Sequence, residues 1–298
     1  MDKMLFVDNH THGAFGVDFN TANYDDIKFL LKKYYERNIR GICPTLVGDS
    51  DENIQKQLYL IQQIKEKQME FCHNEALILG VHLEGTFLSP SRSGIQDKSV
   101  FMRPTINNFK NLVGDFEDIV KIVTVAPEEN IDLIDYLNSK GIKTQAGHSG
   151  AESLQGCIAT THHFNAMSPI HHRNKTICLE GLIRDDIYCE FIADLVHCNI
   201  DILTLIKRVK PENKILLVSD SLPCAHSEED IIFCNKKISK EGKDENGVLA
   251  GSCKTLDEIC HNLIEKEILT KEQVYKMAFL NQIEYLGLNT SEVDILKR

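Results

Sequence analysis

The stretch ALILGVHLE, residues 76–84, is a short apolar run rich in branched side chains that ends in a histidine and a glutamate. Other runs of this kind recur along the chain, and each also ends in a polar or otherwise unusual group. They are MLFVD (4–8), NIRGIC (38–43), IVKIVTVAPE (119–128), GIKTQAGHS (141–149), CIATTHHF (157–164), DIYCEFIAD (186–194) and KILLVSD (214–220). This pattern predicts eight buried strands that carry polar side chains at their C-terminal ends.

Amphipathic helical patterns lie between many of these strands. Examples are YDDIKFLLKKYYERN (24–38) and NIQKQLYLIQQIKEKQ (53–68), with ILTLIKRV (202–209) and LDEICHNLIEKE (256–267) as later helices. Strands that alternate with helices indicate a parallel sheet, and eight such units predict an α/β fold of the (β/α)8 TIM-barrel type. We find no internal repeat or linker, so we expect a single domain over residues 1–298.

Composition excludes several kinds of partner. The formal net charge is −11 and no run of lysine and arginine stands out, which argues against nucleic acid and anionic membranes. No stretch approaches the ~18–20 apolar residues of a membrane span, and the opening MDKMLFVDNHTHG does not resemble a signal peptide. The ten cysteines are scattered without a CxxC pair, which predicts a cytoplasmic protein with reduced thiols.

Metal-ligating residue types end several of the predicted strands. His10 and His12 form a His-x-His pair whose imidazoles point the same way along a strand. A single histidine is more often structural, but a barrel brings the C-terminal ends of its strands to one mouth. The set that meets there is His10, His12, Glu84, His148, His162 and Asp220. Imidazole and carboxylate ligands suit Zn²⁺ or a related divalent ion.

Several motifs also resemble one known family. They are GVHLEGTFLSP, TVAPE, AGHSGA, THHFNAMSPIHHRN, IADLVH, LVSD and GVLAGSCKTLDE, and they run in order from Asp8 to about Leu286. Together they are similar to the N-acetylglucosamine-6-phosphate deacetylases, which belong to the amidohydrolase superfamily of metal-dependent barrels. HLEG followed by THxxNAM and HHR is far more specific than a His-x-His pair alone.

The resemblance implies roles for the polar strand ends. Glu84, His148 and His162 match the primary metal ligands, and Asp220 matches the catalytic carboxylate. His10 and His12 match a pair that some members use for a second ion. We therefore expect one or two divalent ions per chain, with Zn²⁺ as the first choice.

Substrate contacts follow from the same resemblance. Arg173 matches the arginine that meets the sugar phosphate, although an ordinary surface ion pair is the alternative for this residue. The other matches to positions that shape or contact the sugar site are Ile95, Asn165, Ala166, His197, Leu249, Ala250 and Gly251. Of the remaining histidines near Arg173, His163 is expected to pack beneath the loop, and His171 and His172 to shape it.

The implied reaction is deacetylation of a phosphorylated amino sugar, N-acetylglucosamine 6-phosphate, with Asp220 as general acid and base at a metal-activated water. The chain departs from the family pattern in two ways. The segments that build a small flanking β-sandwich are missing, so a barrel-only version is expected, and Gln96 stands where a histidine is usual. A homodimer is the usual assembly of the family. Two alternatives remain: an amidohydrolase for another amide or N-acyl sugar, and a barrel without catalysis that serves as a sensor.

Overall fold

The protein was analysed as a computed structural model, which describes residues 4–71, 74–129 and 131–298. Its strands are β1 (Phe6–Thr11), β2 (Gly13–Ala14), β3 (Val17–Asp18), β4 (Ile39–Leu46), β5 (Leu77–Ile78), β6 (Val81–Leu83), β7 (Val120–Val125), β8 (Lys143–Ala146), β9 (Ala159–Thr160), β10 (Tyr188–Ile192), β11 (Ile215–Val218), β12 (Ile231–Phe233) and β13 (Lys236–Ile238). Its α-helices are α1 (Tyr24–Glu36), α2 (Asp51–Phe71), α3 (Ile106–Val113), α4 (Asp132–Ser139), α5 (Ile177–Ile183), α6 (Ile200–Val209), α7 (Leu256–Glu265), α8 (Lys271–Tyr275), α9 (Asn281–Leu286) and α10 (Thr290–Leu296).

One parallel sheet forms the centre of the fold. Its strands follow the order β1-β4-β6-β7-β8-β9-β10-β11, and β5 pairs with β4 beside this path. The first and last strands then meet, because the amide of His12 donates to the carbonyl of Ser221 at 2.9 Å and the amide of Asp220 to that of His10 at 2.9 Å. With helices on the outside, this is a (β/α)8 barrel, and the predicted fold class is confirmed.

Each of the eight predicted apolar runs overlaps a barrel strand, but their bounds differ. ALILGVHLE is divided into β5 and β6 at Gly80, whose φ is +152° and where a Cβ atom would lie 2.5 Å from the Cβ of Lys121. CIATTHHF contributes only Ala159–Thr160, because the chain leaves the sheet at the histidines that follow. The runs therefore locate the strands correctly but not their ends: most runs are longer than the strand, whereas β1 and β4 continue three residues beyond theirs.

The predicted helices are confirmed, with ends that shift by a few residues. The pattern over 24–38 becomes α1, whose N-terminus carries a capping box in which Asn23 accepts from the amide of Asp26 while the Asp26 side chain accepts from Asn23. The three later patterns become α2, α6 and α7.

The two ends of the barrel are chemically different. Around its N-terminal end, Phe279, Tyr285 and Leu296 from the C-terminal helices belong to one buried apolar cluster with Val7 and Leu216 of the first and last strands. The opposite end carries the polar strand ends. Because apolar side chains close one end, a ligand can reach the barrel from the opposite end, where the polar strand ends lie.

Two small antiparallel hairpins, β2–β3 and β12–β13, accompany the barrel. The second lies in the long connection between β11 and α7. Over residues 4–71, 74–129 and 131–298 these hairpins are the only sheets outside the barrel, so the described chain contains no β-sandwich. No helix in those ranges has the length and apolar character that crossing a membrane requires. The single domain over 1–298 stays a prediction.

Candidate metal centre and substrate cavity

The predicted ligands lie at or just beyond the C-terminal ends of barrel strands. Two of them and the predicted catalytic Asp220 have a left-handed backbone, with φ of 46° at His148, 29° at His162 and 49° at Asp220. Side chains other than glycine rarely adopt this region, and such strain concentrates at functional sites. At His148 and His162 the chain leaves the barrel ladder, whereas after the kink at Asp220 the next residue, Ser221, still pairs with Thr11. In each case a polar side chain reaches the mouth of the barrel.

The Glu84 carboxylate stands at the centre of the histidines. Its Oε1 lies 2.8 Å from Nε2 of His162 and 3.1 Å from Nε2 of His148. Its Oε2 lies 3.2 Å from Nε2 of His12 and 3.8 Å from Nε2 of His10. Each oxygen therefore forms a ligand group with two imidazoles, and within each group the ligand atoms all lie within 4.8 Å of one another.

Hydrogen bonds at Nδ1 orient three of the four imidazoles. In each, Nδ1 faces an oxygen acceptor, so that Nδ1 carries the proton and the lone pair of Nε2 points to the centre. The acceptors are the carbonyl of Arg92 at 2.8 Å for His148, the carboxylate of Glu190 at 3.1 Å for His10 and the carbonyl of Thr45 at 3.3 Å for His12.

The charges of the centre favour a cation. Burial alone would lower the pKa of His12, but hydrogen bonds to Asp220 and Glu84 raise it to about 9. Burial would raise the pKa of Glu84, yet the neighbouring His148 and His10 hold it well below its usual range. Two buried carboxylates thus draw positive charge into this space, which protons on the imidazoles or a metal ion can supply.

The donor set fits a divalent ion. Nε2 of His148 and Nε2 of His162 lie only 3.0 Å apart, and both face Oε1 of Glu84. Two imidazole nitrogens this close converge on one electropositive centre, and two nitrogens with a carboxylate oxygen are a common zinc environment. Glu84, His148 and His162 could hold one such ion, and His10, His12 and Glu84 form the second group.

Asp220 reaches the same space from β11. Its Oδ1 lies 3.3 Å from Nε2 of His10 and 3.2 Å from Nε2 of His12. Burial would raise its pKa, but the imidazoles of His10 and His12 lower it overall, so the carboxyl group stays ionised at neutral pH. An ionised carboxylate beside a potential metal site can accept a proton from water.

A cavity of about 580 Å³ opens above this centre. Every predicted site residue lines it except His10, which lies fully buried behind His12, and Arg173. Arg173 is exposed, and its Nη1 donates to Nε2 of the neighbouring His172 at 2.9 Å. The structure therefore brings together the residues matched to metal, catalysis and the sugar, and leaves Arg173 outside the cavity wall.

Sequence reasoning missed several residues of this site. Arg92 is the only lysine or arginine that lines the cavity in the described part of the chain, and its Nη2 donates to Ser168 Oγ at 3.0 Å. Glu190 supports His10, and a charge within the apolar run DIYCEFIAD was the available signal for it. Asp194 lies 2.9 Å from Nδ1 of His197 and orients that ring. Nothing in the motif pattern pointed to Arg92.

Gln96 takes a supporting position. Its Nε2 donates to Oε2 and to the carbonyl of Glu84, both at 3.2 Å, and its Oε1 is buried without a protein partner. His163 is fully buried, with Nδ1 2.9 Å from Thr160 Oγ1, as expected for a packing residue. Histidines 163 and 162 thus have different environments although they are adjacent in sequence.

Similarity to known proteins identifies the family of this chain. No family model matches the chain. The N-acetylglucosamine-6-phosphate deacetylase of Lysinibacillus sphaericus is 30% identical over 296 residues, which cover 95% of this chain and 76% of that protein. The chain belongs to the N-acetylglucosamine-6-phosphate deacetylase family. The Bacillus subtilis member is 28% identical over 295 residues, with 95% and 74% of the two chains covered.

Solved structures agree with this membership. The deacetylase of Thermotoga maritima superposes with a TM-score of 0.85 at 27% identity, over 95% of this chain and 78% of the other. That of Pasteurella multocida gives 0.85 at 25% identity, over 95% and 76%. The chain thus spans about three quarters of the length of these relatives. The members of this family are metal-dependent amide hydrolases, so the predicted class of enzyme is confirmed.

Proposed function

We propose that this protein hydrolyses the acetamide of N-acetylglucosamine 6-phosphate to give acetate and glucosamine 6-phosphate. The observation that carries the proposal is the convergence of Glu84, His148, His162 and Asp220 at the base of one cavity in a chain of this family. Relatives named for this reaction share about 28–30% of their residues with the chain.

Zn²⁺ is our choice of metal, held by Glu84, His148 and His162, with His10 and His12 available for a second ion through Oε2 of Glu84. Nitrogen-rich sites with few carboxylates suit Zn²⁺ better than Mg²⁺ or Ca²⁺. A bound ion of this kind lowers the pKa of a coordinated water to about 7 and polarises a carbonyl group.

Asp220 is the proton carrier in this proposal. Its carboxylate accepts the proton of the attacking water and then delivers it to the amine nitrogen, which leaves poorly without a proton. His10 and His12 hold Oδ1 of Asp220 within 3.3 Å of their rings and keep the carboxyl group ionised before the reaction begins. Glu190 and the carbonyl of Thr45 fix those two rings through hydrogen bonds to their Nδ1 atoms.

The sugar would occupy the cavity above. Asn165 and Ala166 border it beside His162, His197 borders it from the β10 side, and Leu249–Gly251 and Ile95 also line the wall. The ring of His197 is held by Asp194, so its position does not depend on the ligand. Such preformed polar groups, set beside the apolar parts of the wall, orient a small ligand.

Recognition of the phosphate is assigned to Arg173 together with Arg92. Arg173 matches the family position, while Arg92 lies in the cavity wall and hydrogen-bonds Ser168, in the loop that also carries Arg173. A guanidinium suits a phosphate because it donates two parallel hydrogen bonds. The phosphate would therefore lie at the rim where these two loops meet.

A homodimer is the assembly that we propose. Ile170 and Val196, which are 42% and 58% exposed, lie near Arg173 and beside His197. A contiguous exposed apolar patch marks many subunit contacts, and we propose that these two side chains belong to such a contact. Sedimentation analysis tests this point, and a monomer at micromolar concentration would contradict it. The nine free cysteines in the described chain favour a reducing compartment, in agreement with a cytoplasmic location.

The decisive experiment measures acetate release by purified, metal-analysed protein from N-acetylglucosamine 6-phosphate and, in parallel, from N-acetylglucosamine. We expect turnover that needs metal and prefers the phosphorylated sugar. Asp220→Asn should keep its metal and lose at least ~10²-fold in kcat, because a general acid–base contributes about that much. Undiminished kcat in metal-loaded Asp220→Asn would refute the mechanism. Silence of the metal-loaded wild type would point to another N-acyl sugar or to a barrel without catalysis.

A further inference from the structure

Two cysteine thiols meet beside the active-site mouth. Sγ of Cys224 lies 3.1 Å from Sγ of Cys253, although the residues stand 29 positions apart in the chain. Cys224 follows Asp220 in the loop after β11, and Cys253 follows the cavity-lining stretch Leu249–Gly251. Cys224 is 2% exposed and Cys253 is half-buried.

The backbone holds these two loops together before the thiols meet. The amide of Ser252 donates to the carbonyl of Asp220 at 2.8 Å, and the amide of Leu222 donates to the carbonyl of Ser252 at 2.9 Å. Gly251 fits against this pairing so closely that a Cβ atom there would lie 2.8 Å from the carbonyl oxygen of Asp220. The two sulfur atoms are therefore placed by a fixed frame, and a bond between them needs only a small approach.

We propose that Cys224 and Cys253 form a reversible disulfide that restrains the segment 225–252 over the cavity and slows turnover. This segment contains the β12–β13 hairpin and the residues Phe233 and Gly247–Gly251, which line the cavity wall. The hydrogen bonds at the base of this segment can open and close, whereas a disulfide there holds its two ends together until it is reduced, so the cover can open less far. Substrate entry and product release depend on that opening when a loop closes a site.

The chemistry requires a peroxide as oxidant. The Cys224 thiolate attacks one oxygen of hydrogen peroxide, which yields a sulfenic acid at Cys224 and hydroxide. The Cys253 thiol then attacks the Cys224 sulfur, forms the S–S bond and displaces the second oxygen as water. In total, two thiols are oxidised, one peroxide is reduced and two water molecules form. A dithiol reductant reverses the change.

The other cysteines are poorly suited to this reaction. A hydrogen bond with Cys253 lowers the pKa of Cys224, whereas burial raises the pKa of Cys43, Cys157 and Cys189. A thiol with a lowered pKa has more of the reactive thiolate at neutral pH. Cys234, which is half-buried on the same segment and whose pKa burial also raises, provides a matched control.

The test compares wild type, Cys253→Ser and Cys234→Ser, each reduced and then treated with hydrogen peroxide. Peptide mapping without reductant should show a 224–253 cross-link in wild type and Cys234→Ser, with two thiols lost per chain. Both proteins should lose most of their turnover and recover it with dithiothreitol, while Cys253→Ser should keep it. Hydrogen exchange over 225–252 should slow in the oxidised wild type, and this readout does not depend on the proposed substrate.

Absence of the cross-linked peptide from oxidised wild type would overturn the inference, and this measurement needs no variant to fold. An equal loss of turnover in Cys253→Ser, or a cross-link that leaves both turnover and hydrogen exchange unchanged, would overturn it too. If reduced wild type does not release acetate, the proposed function fails on its own, and the cross-link and exchange data still decide this inference.

Discussion

The buried Glu190 carboxylate orients the ring of His10 in the proposed metal centre, and Glu190→Gln tests this role. Glu190 has no exposed surface; its Oε2 lies 3.1 Å from Nδ1 of His10, and its Oε1 accepts from Nε2 of Gln145 at 2.6 Å. Glutamine has almost the same shape but offers one acceptor and one NH₂ group. Whichever way the new amide turns, its NH₂ group faces the N–H of His10 or the NH₂ group of Gln145.

The magnitude follows from these two contacts. Loss of the acceptor that orients a metal-bound histidine typically costs about 10- to 100-fold in metal affinity or activity. This corresponds to about 1.4–2.7 kcal/mol of binding free energy. A buried donor left without a partner costs about 1–3 kcal/mol of folding free energy in addition. An ion held by His10 and His12 should weaken most, and one held by His148 and His162 should weaken less.

The assay is a competition for Zn²⁺ between the protein and a chelating indicator, with metal content per chain and kcat measured on the same samples. Glu229→Gln, an exposed site with the same change of charge, is the matched control. Thermal unfolding in excess chelator separates lost stability from lost metal binding. A folded Glu190→Gln protein that binds zinc as tightly as wild type and turns over at the same rate would refute the role of Glu190.

Three further outcomes can be measured. Arg92→Met should raise KM for N-acetylglucosamine 6-phosphate by about 10-fold or more and change kcat little, because a charge-assisted hydrogen bond contributes about 1.5–3 kcal/mol. Arg173→Met should also raise KM. Lys98→Met, a control in the same loop as Arg92, should leave KM unchanged. His12→Gln should bind one zinc ion fewer per chain if two are present in wild type, as elemental analysis would show, and an unchanged zinc content would exclude His12 as a ligand. Burial lowers the pKa of His163 to about 3 in the folded protein, so protonation of this ring favours the unfolded chain. The free energy of unfolding should therefore fall as the pH drops below ~6.5, by up to about 1.4 kcal/mol per pH unit. His163→Gln should make the loss of unfolding free energy between pH 7 and pH 5 smaller, and equal losses in urea titrations of both proteins would show that His163 does not titrate in this way.

The sequence predicted the barrel well because its signals are local. A buried parallel strand needs a run of apolar residues whatever its neighbours are, so runs such as KILLVSD identify β11 without knowledge of the sheet. The predicted strands were too long where the chain turns away early, as at His148 and His162. Those turns depend on contacts across the barrel mouth, which no single segment of sequence contains.

The site was predicted less completely, for a related reason. His10, Glu84 and Asp220 carry a residue type that suits metal or proton chemistry, and the motifs gave each a place. Arg92 and Glu190 act through partners from distant segments, Ser168 and His10, so their roles become visible only in three dimensions. The motif alone also placed Arg173 with the substrate, whereas the structure places its side chain outside the cavity wall.

The left-handed backbone at the strand ends connects fold and chemistry in this protein. If the chain continued as a regular strand at His148 and His162, the pleat would fix the face of the barrel to which each side chain points, and the two imidazoles would not both reach Glu84. Each turn costs backbone energy on the order of 1 kcal/mol, which the apolar barrel must offset. The same turns release Asp220 from strict strand geometry while backbone bonds to His10 and Ser252 still hold it. Backbone hydrogen bonds thus hold the centre between β1, the end of β11 and the loop at Ser252. A change that breaks these hydrogen bonds should reduce metal binding before it unfolds the barrel.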